Sequence, residues 1–180
     1  ALERIVRLKP HTLSSDKEEL LALAGIPLGT PSKSFSAFNN ADLKFPPAQD
    51  KEGKMNEVTH AKYLFYMKGK DRELRKNAFH SLHRSFEGFE NTVCELINGQ
   101  VQNHLFTMRA RNFPTCMEGA LFPNQIDPNV YKNLIQTVRE NLPVLHRYMK
   151  ERKRVLGVEE LHMYDLHVPL VEGVDLKYDY

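Results

Sequence analysis

His80-Ser81-Leu82-His83, with Glu87 one turn further on, is the local set best suited to chemistry, because imidazole and carboxylate are both zinc ligands and positions i, i+3 and i+7 approach one side of a helix. The facing argues against a metal. Counted at about 100° per residue from Ala78, Leu82 and Phe86, His80 falls on the far side and His83 and Glu87 on the flank. A structural zinc also wants four ligands, and no Cys or further His lies near in sequence. A solvated polar face is therefore expected, with no zinc held by this chain. Lys150-Glu151-Arg152-Lys153-Arg154 has the look of a nucleic-acid or localisation patch, but no aromatic residues interleave it, and a solvated helix terminus is expected instead. Cys116 follows Pro114-Thr115, and together with Cys94 it is too little for a disulfide framework. A reducing compartment fits the pair, and Cys116 is expected to be a buried or idle thiol rather than a reactive one. The sequence contains no H-E-x-x-H, no G-x-x-x-x-G-K-[ST], no G-x-S-x-G and no G-x-G-x-x-G.

The bulk composition narrows the partners. In 180 residues, 25 Lys and Arg stand against 23 Asp and Glu, so the formal charge of +2 is too small for a surface whose main partner is a polyanion. A mean hydropathy of -0.50 and no apolar run near 18 residues argue against a membrane helix. Neither nucleic acid nor membrane is expected as a partner.

The elements that would position these residues are mostly helical. Ala1 to Lys9 reads as the end of a helix broken by Pro10, and Val174 to Tyr180 as a strand being entered, so the chain is expected to be a piece of a longer protein. Ser15 and Glu18 match a capping box for a helix over Asp16 to Ala24, closed by Gly25. Leu43 and Phe45, the turn Asp50 to Gly53, and Met55 to Val58 make a hairpin. From residue 72 to 111 one long helix is expected, its buried stripe running Leu74, Ala78, Leu82, Phe86, Phe89, Val93, Ile97, Val101, Leu105 and Met108. Asp127-Pro128 opens the next helix, with Val130, Leu134, Val138, Leu142, Leu145 and Met149 buried, a kink at Pro143 and closure at Gly157.

Several stretches occur in the order found in a known family. They are Asn91-Thr92-Val93-Cys94-Glu95-Leu96, Arg109-Ala110-Arg111-Asn112-Phe113-Pro114-Thr115, Ile126 to Ile135 and Leu142 to Tyr148. Leu156-Gly157-Val158-Glu159-Glu160-Leu161-His162-Met163-Tyr164-Asp165-Leu166-His167-Val168-Pro169-Leu170 is the sharpest part, and Asn40 to Pro46 adds the earlier hairpin. In these stretches the chain resembles oligoendopeptidase F from about Leu2 to Leu170, with thimet-type peptidases as more distant relatives. Phe113 departs from the family's aromatic hydroxyl, Thr115 from its Ser and His167 from its common Tyr.

The resemblance implies a mainly α fold: a long-helix bundle with a small β-hairpin, forming the N-terminal and middle part of a larger helical metallopeptidase. Residues 1–112 would be the N-terminal helical domain and 113–180 the incomplete start of the catalytic domain. It implies a cytoplasmic zinc metallo-oligoendopeptidase acting on short oligopeptides, with this segment as a wall of the substrate cavity. The family's zinc-binding His pair, catalytic Glu and further Glu ligand would all lie beyond Tyr180, so no catalytic, cofactor-binding or metal residue carries over, and no substrate-binding residue is assigned. The implied cofactor is zinc in the parent protein, and the implied partners are oligopeptide substrates and the downstream catalytic domain. That domain would cover the segment Tyr164 to Leu176, which is expected to be locally less stable without it. The reading of a different class is a non-catalytic helical protein-interaction module. A parent gene with H-E-x-x-H in its next stretch separates the two.

Overall fold

The computed structural model describes residues 2–171, so the strand expected at Val174 to Tyr180 lies outside the described residues. In chain order the elements are α1 (Leu2–Leu8), α2 (Ser15–Leu28), α3 (Thr30–Ala37), β1 (Ala48–Gln49), β2 (Met55–Asn56), α4 (His60–Lys68), α5 (Arg72–Glu87), α6 (Glu90–Ala110), α7 (Cys116–Leu121) and α8 (Pro128–Leu156), with short 3-10 turns at Lys9–His11, Phe122–Asn124 and Met163–Asp165. The mainly helical class with one small antiparallel sheet is as expected from sequence. The chain divides into two compact units, one of Ala1–Leu43 with Phe89–Arg139, the other of Lys44–Gly88 with Glu140–Tyr180.

In the first unit α3 packs along α6. Gly99 of α6 permits that approach: a Cβ there would stand 2.8 Å from Cγ of Pro31 and 3.2 Å from its Cβ. Asn103, one turn on, donates to the carbonyl of Leu28 at 3.1 Å. The start of α2 differs from the expected capping box. Ser14, not Ser15, is the cap residue, and neither serine side chain makes the cap bond. Glu18 instead accepts the N–H of Leu13 at 2.8 Å and pairs with Arg111, whose guanidinium holds its carboxyl below the usual range. Nor does Gly25 close α2. The helix runs to Leu28, and Pro27 near its end sacrifices a single backbone bond.

The second unit is built on α5. Asp71 caps it, accepting from the N–H groups of Glu73 and Leu74, and its other oxygen accepts from the N–H of Lys51. Through that carboxylate the hairpin turn is tied to the helix. The hairpin pairs Ala48 with Asn56 and Gln49 with Met55. Its turn falls where expected: Gly53 takes φ of +87°, and Asp50 accepts from the N–H groups of Glu52 and Lys54 and the amide of Asn56. The first strand is displaced from Leu43 and Phe45, because Pro46 and Pro47 remove two N–H donors and pairing begins only after them. Ala48, Val58, Met67, Ala78 and Tyr164 form the core, with Phe45, Tyr63, Tyr66, Leu74 and Phe79 packed against it.

The single helix expected over 72–111 is two. Gly88 is still helical, but Phe89 turns to φ −123°, ψ +20° and α6 restarts at Glu90. Glycine weakens the ladder at that point, and the Phe89 ring makes an edge-on contact with Phe38 at 4.9 Å once the backbone departs. The stripe is also corrected in α6: Ile97 is 61% exposed and Val101 is exposed too, while Val93, Leu96 and Met108 are half-buried. The same holds for α8. Its predicted buried face is largely bare, with Leu134 59% exposed and Val130, Val138 and Leu145 exposed alongside it, whereas Leu142 and Met149 are half-buried. The helix passes through Pro143 and ends at Gly157, whose φ of +64° is the left-handed closing conformation expected there.

Candidate functional site

The expected polar face around His80 is only partly solvated. His83 is exposed and lies 4.1 Å from the Phe79 ring, and Glu87 is exposed. His80, placed by sequence on the far side of the helix, is half-buried, 5.8 Å from Phe79 and 6.5 Å from Tyr164. Among the described residues no three His, Cys, Asp or Glu side chains come together in a metal-binding group. Cys94 is exposed, Cys116 is part-buried, and both are free thiols.

The electrostatic centre of the second unit is elsewhere, in Asp165. This carboxylate is 0% exposed and saturated with donors. Its Oδ1 accepts from Arg75 Nη2 at 2.9 Å and Arg72 Nε at 3.1 Å, and its Oδ2 from Arg72 Nη2 at 2.9 Å and the His162 N–H at 3.1 Å. Burial pushes its pKa up, but the bonds from Arg72, Arg75 and the His162 N–H outweigh it and bring the carboxyl down to about 2. Arg75, itself buried, also donates to the carbonyls of Tyr164 and Gly69 at 3.0 and 2.8 Å.

Arg152 corrects the reading of Lys150 to Arg154 as a wholly solvated terminus. It is buried, and its Nη1 donates to the carbonyls of Asp165 and Val168 at 3.1 and 2.8 Å while Nη2 reaches the Tyr148 hydroxyl at 2.9 Å. Its Nε has no acceptor. Three arginines from α5 and α8 thus grip one stretch of irregular backbone, residues 162–168. Tyr164 and Val168 are buried there, so the first part of the segment expected to lie bare is covered by this chain's own residues.

Chemically this arrangement is a clamp. An ionised carboxylate with four donors on it has no lone pair left to act as a base, and guanidinium groups do not exchange protons near neutral pH. Beside it a cleft of about 510 Å³ is lined by Arg72, Lys76, Phe79, His80, His162 and Tyr164, with the His162 and Tyr164 rings stacked 4.9 Å apart. It offers cations, ring faces and the carboxylate of Glu73, with no Ser, Thr or Cys among its described lining residues. Sequence reasoning missed Arg75, Arg152 and Asp165. A signal existed for Arg75, which falls one turn before Ala78 and Phe79 on the inward face, where an unpaired cation is not tolerated.

Comparison with known proteins gives this geometry its setting. The family model for peptidase family M3 matches residues 65–172, and that for oligopeptidase F matches residues 1–45. Oligopeptidase PepF of Bacillus subtilis is 39% identical over 180 residues, covering 100% of this chain and 27% of its own length. Group B oligopeptidase PepB of Streptococcus agalactiae is 37% identical over 178 residues, 99% of this chain and 30% of the relative. The crystal structure of oligoendopeptidase-F from Enterococcus faecium superposes with a TM-score of 0.93 at 37% identity, covering 97% of this chain and 34% of that one. The chain therefore spans under a third of the length of these two curated relatives. With one family model matching well over half of its residues, this chain belongs to peptidase family M3.

Proposed function

We propose that the chain is part of a zinc metalloendopeptidase that hydrolyses short oligopeptides in the cytoplasm, and that it contributes a wall of the substrate cavity. The observation that carries this reading is the match to oligopeptidases along the whole chain at 34–39% identity over 178–180 residues, against only about 30% of their length. The residues described here do not fit a zinc ion, since no three potential ligands converge. The metal and the water it activates therefore belong, in this reading, to the part of the parent that this chain does not include. No step of hydrolysis is assigned to a side chain here. The exposed face of α8, with Leu134 and Val138 at its centre, supports the presence of that further part, which would pack against it. In the same reading residues 1–112 are the N-terminal helical domain and 113–180 begin the catalytic one.

The test is comparative. The parent gene should encode H-E-x-x-H within about 100 residues downstream, on a helix that sets both imidazoles on one face. The parent should hold one zinc and cleave an internally quenched oligopeptide, and this chain should do neither. A parent without the motif overturns the reading in favour of a helical interaction module. Stoichiometric zinc on the isolated chain, lost in His80→Ala/His83→Ala, overturns the assignment of the metal to the missing part.

A further inference from the structure

A cavity of about 740 Å³ lies wholly within the second unit, lined by the end of α4, the first turn of α5, the end of α8 and the segment that follows α8. Its lining is of two kinds. Lys68, Lys70, Arg72 and Arg75 supply the polar part, and no Asp or Glu is among its described lining residues. Every other lining residue, Val155, Leu156 and Leu170 among them, is apolar.

Asp165 answers only part of this charge. Arg72 gives its Nε and Nη2 donors to Asp165 and to the Glu160 carbonyl, which leaves the Nη1 group over. Arg75, 3% exposed, gives one bond each from Nε, Nη1 and Nη2 and keeps two N–H groups in reserve. A further cation backs the lining. Arg152, 6% exposed, holds the carbonyl of the lining residue Val168, and its other partners are the Asp165 carbonyl and the Tyr148 hydroxyl. None of these is a carboxylate, and its Nε has no acceptor at all. Protein interiors pair a buried charge with an opposite one, and here the described residues do not. Acids close in sequence are directed elsewhere: Glu73 lines the neighbouring cleft, and Glu160 faces His162 at 3.6 Å. Five cations in and behind the cavity thus stand against the single carboxylate of Asp165.

We propose that this cavity binds a phosphate monoester with an apolar body. The phosphate accepts from Arg72 Nη1 and from the Lys68 and Lys70 ammonium groups, and the hydrocarbon lies against Val155, Leu156 and Leu170. Against the cationic surplus a phosphate brings about two negative charges at neutral pH, where a carboxylate brings one. The site does not rest on the proposed peptidase activity, because the residues that form it are in this chain.

Calorimetric titration of the chain with hexyl phosphate tests it, paired with amide NMR shifts to locate the ligand. Saturable binding is expected, with shifts centred on Lys70, Val158 and Leu170. Hexanol keeps the body without the charge, and inorganic phosphate keeps the charge without the body. Each should bind about tenfold or more weakly than hexyl phosphate. Lys68→Gln/Lys70→Gln removes two cations at exposed positions and leaves the three arginines in place. Val155→Asp, at a position 50% exposed, sets a like charge beside the phosphate and serves as the second variant should the first be unstable. Either change should weaken hexyl phosphate binding by about tenfold or more. The proposal is overturned if hexanol or inorganic phosphate binds as tightly as hexyl phosphate, or if either variant, with an unchanged unfolding midpoint, binds it as tightly as the original chain. It is equally overturned if the shifts centre on Lys76, His80 and Met163, or if no saturation is seen up to about 10 mM.

Discussion

Replacing Asp165 by Asn isolates what the buried carboxylate contributes. The variant is nearly isosteric, but it puts an N–H2 group where donors from Arg72, Arg75 and His162 now converge on oxygen. Arg75, 4% exposed at its side chain, would be left as a buried cation without a counter-charge. Removing one partner of a buried pair costs about 3 to 5 kcal/mol, and that is the expected loss at pH 7.

The pH dependence gives an independent number. The folded-state pKa of Asp165 is depressed from 3.8 to about 2, so its contribution is fully present above 3.8 and disappears as pH falls through about 2. The shift is worth about 2 kcal/mol in total, of which about 1 kcal/mol is already lost at pH 3. Urea denaturation at pH 7 and pH 3 reads both effects. The Asn variant should be less stable at pH 7 by about 3 kcal/mol or more, and the gap should narrow by about 1 kcal/mol at pH 3. A variant within about 0.5 kcal/mol of the original chain at pH 7, or a gap that is the same at both pH values, would refute the clamp.

Three further outcomes follow from particular contacts. Gly99→Leu drives a side chain into Pro31 and should destabilise the first unit by about 1 to 3 kcal/mol in chemical denaturation, despite leucine's better helix propensity. Gly157→Ala places a Cβ at φ of +64° with nothing within 4 Å of it, so only backbone strain is felt, and a loss of about 1 kcal/mol is expected by the same assay. Val138→Ser and Leu134→Ser, on the bare face of α8, should each change the stability of this chain by less than about 0.5 kcal/mol while lowering its uptake of a hydrophobic dye. A large loss of stability from either would mean that the face is already buried.

What was legible in the sequence was local chemistry. The turn at Asp50 to Gly53, the opening at Asp127-Pro128 and the closure at Gly157 each depend on a residue and its immediate neighbours, and each stands where its sequence placed it. The failures share another cause. Glu18 has the spacing of a capping-box carboxylate, but Arg111, distant in sequence, and the N–H of Leu13 take it instead. The interruption at Phe89 follows Gly88, and the Phe38 ring that Phe89 then meets is again far away in the chain. Arg152 looks like one cation in a basic run because nothing local announces the carbonyls of Asp165 and Val168 that it holds.

The stripe on α8 shows the same limit from the other side. Tyr131, Leu134, Val138, Leu145 and Tyr148 recur at helical spacing as a face meant for burial would, yet all of them are exposed. Burying a side chain of the Val or Leu kind is worth about 1.5 to 3 kcal/mol, so Leu134, Val138 and Leu145 alone represent several kcal/mol that the described residues leave unused. Periodicity reports that a face is to be covered and carries no information on which element covers it. The irregular stretch at 162–168 is the converse case. It has no periodicity to read, yet Tyr164, Asp165 and Val168 are buried in it, because three arginines with enough donors reach its carbonyls and its one carboxylate. Apolar pattern marks the helical stretches of this chain. The place where the chain passes beyond them is set by charged groups whose partners lie up to 93 residues away.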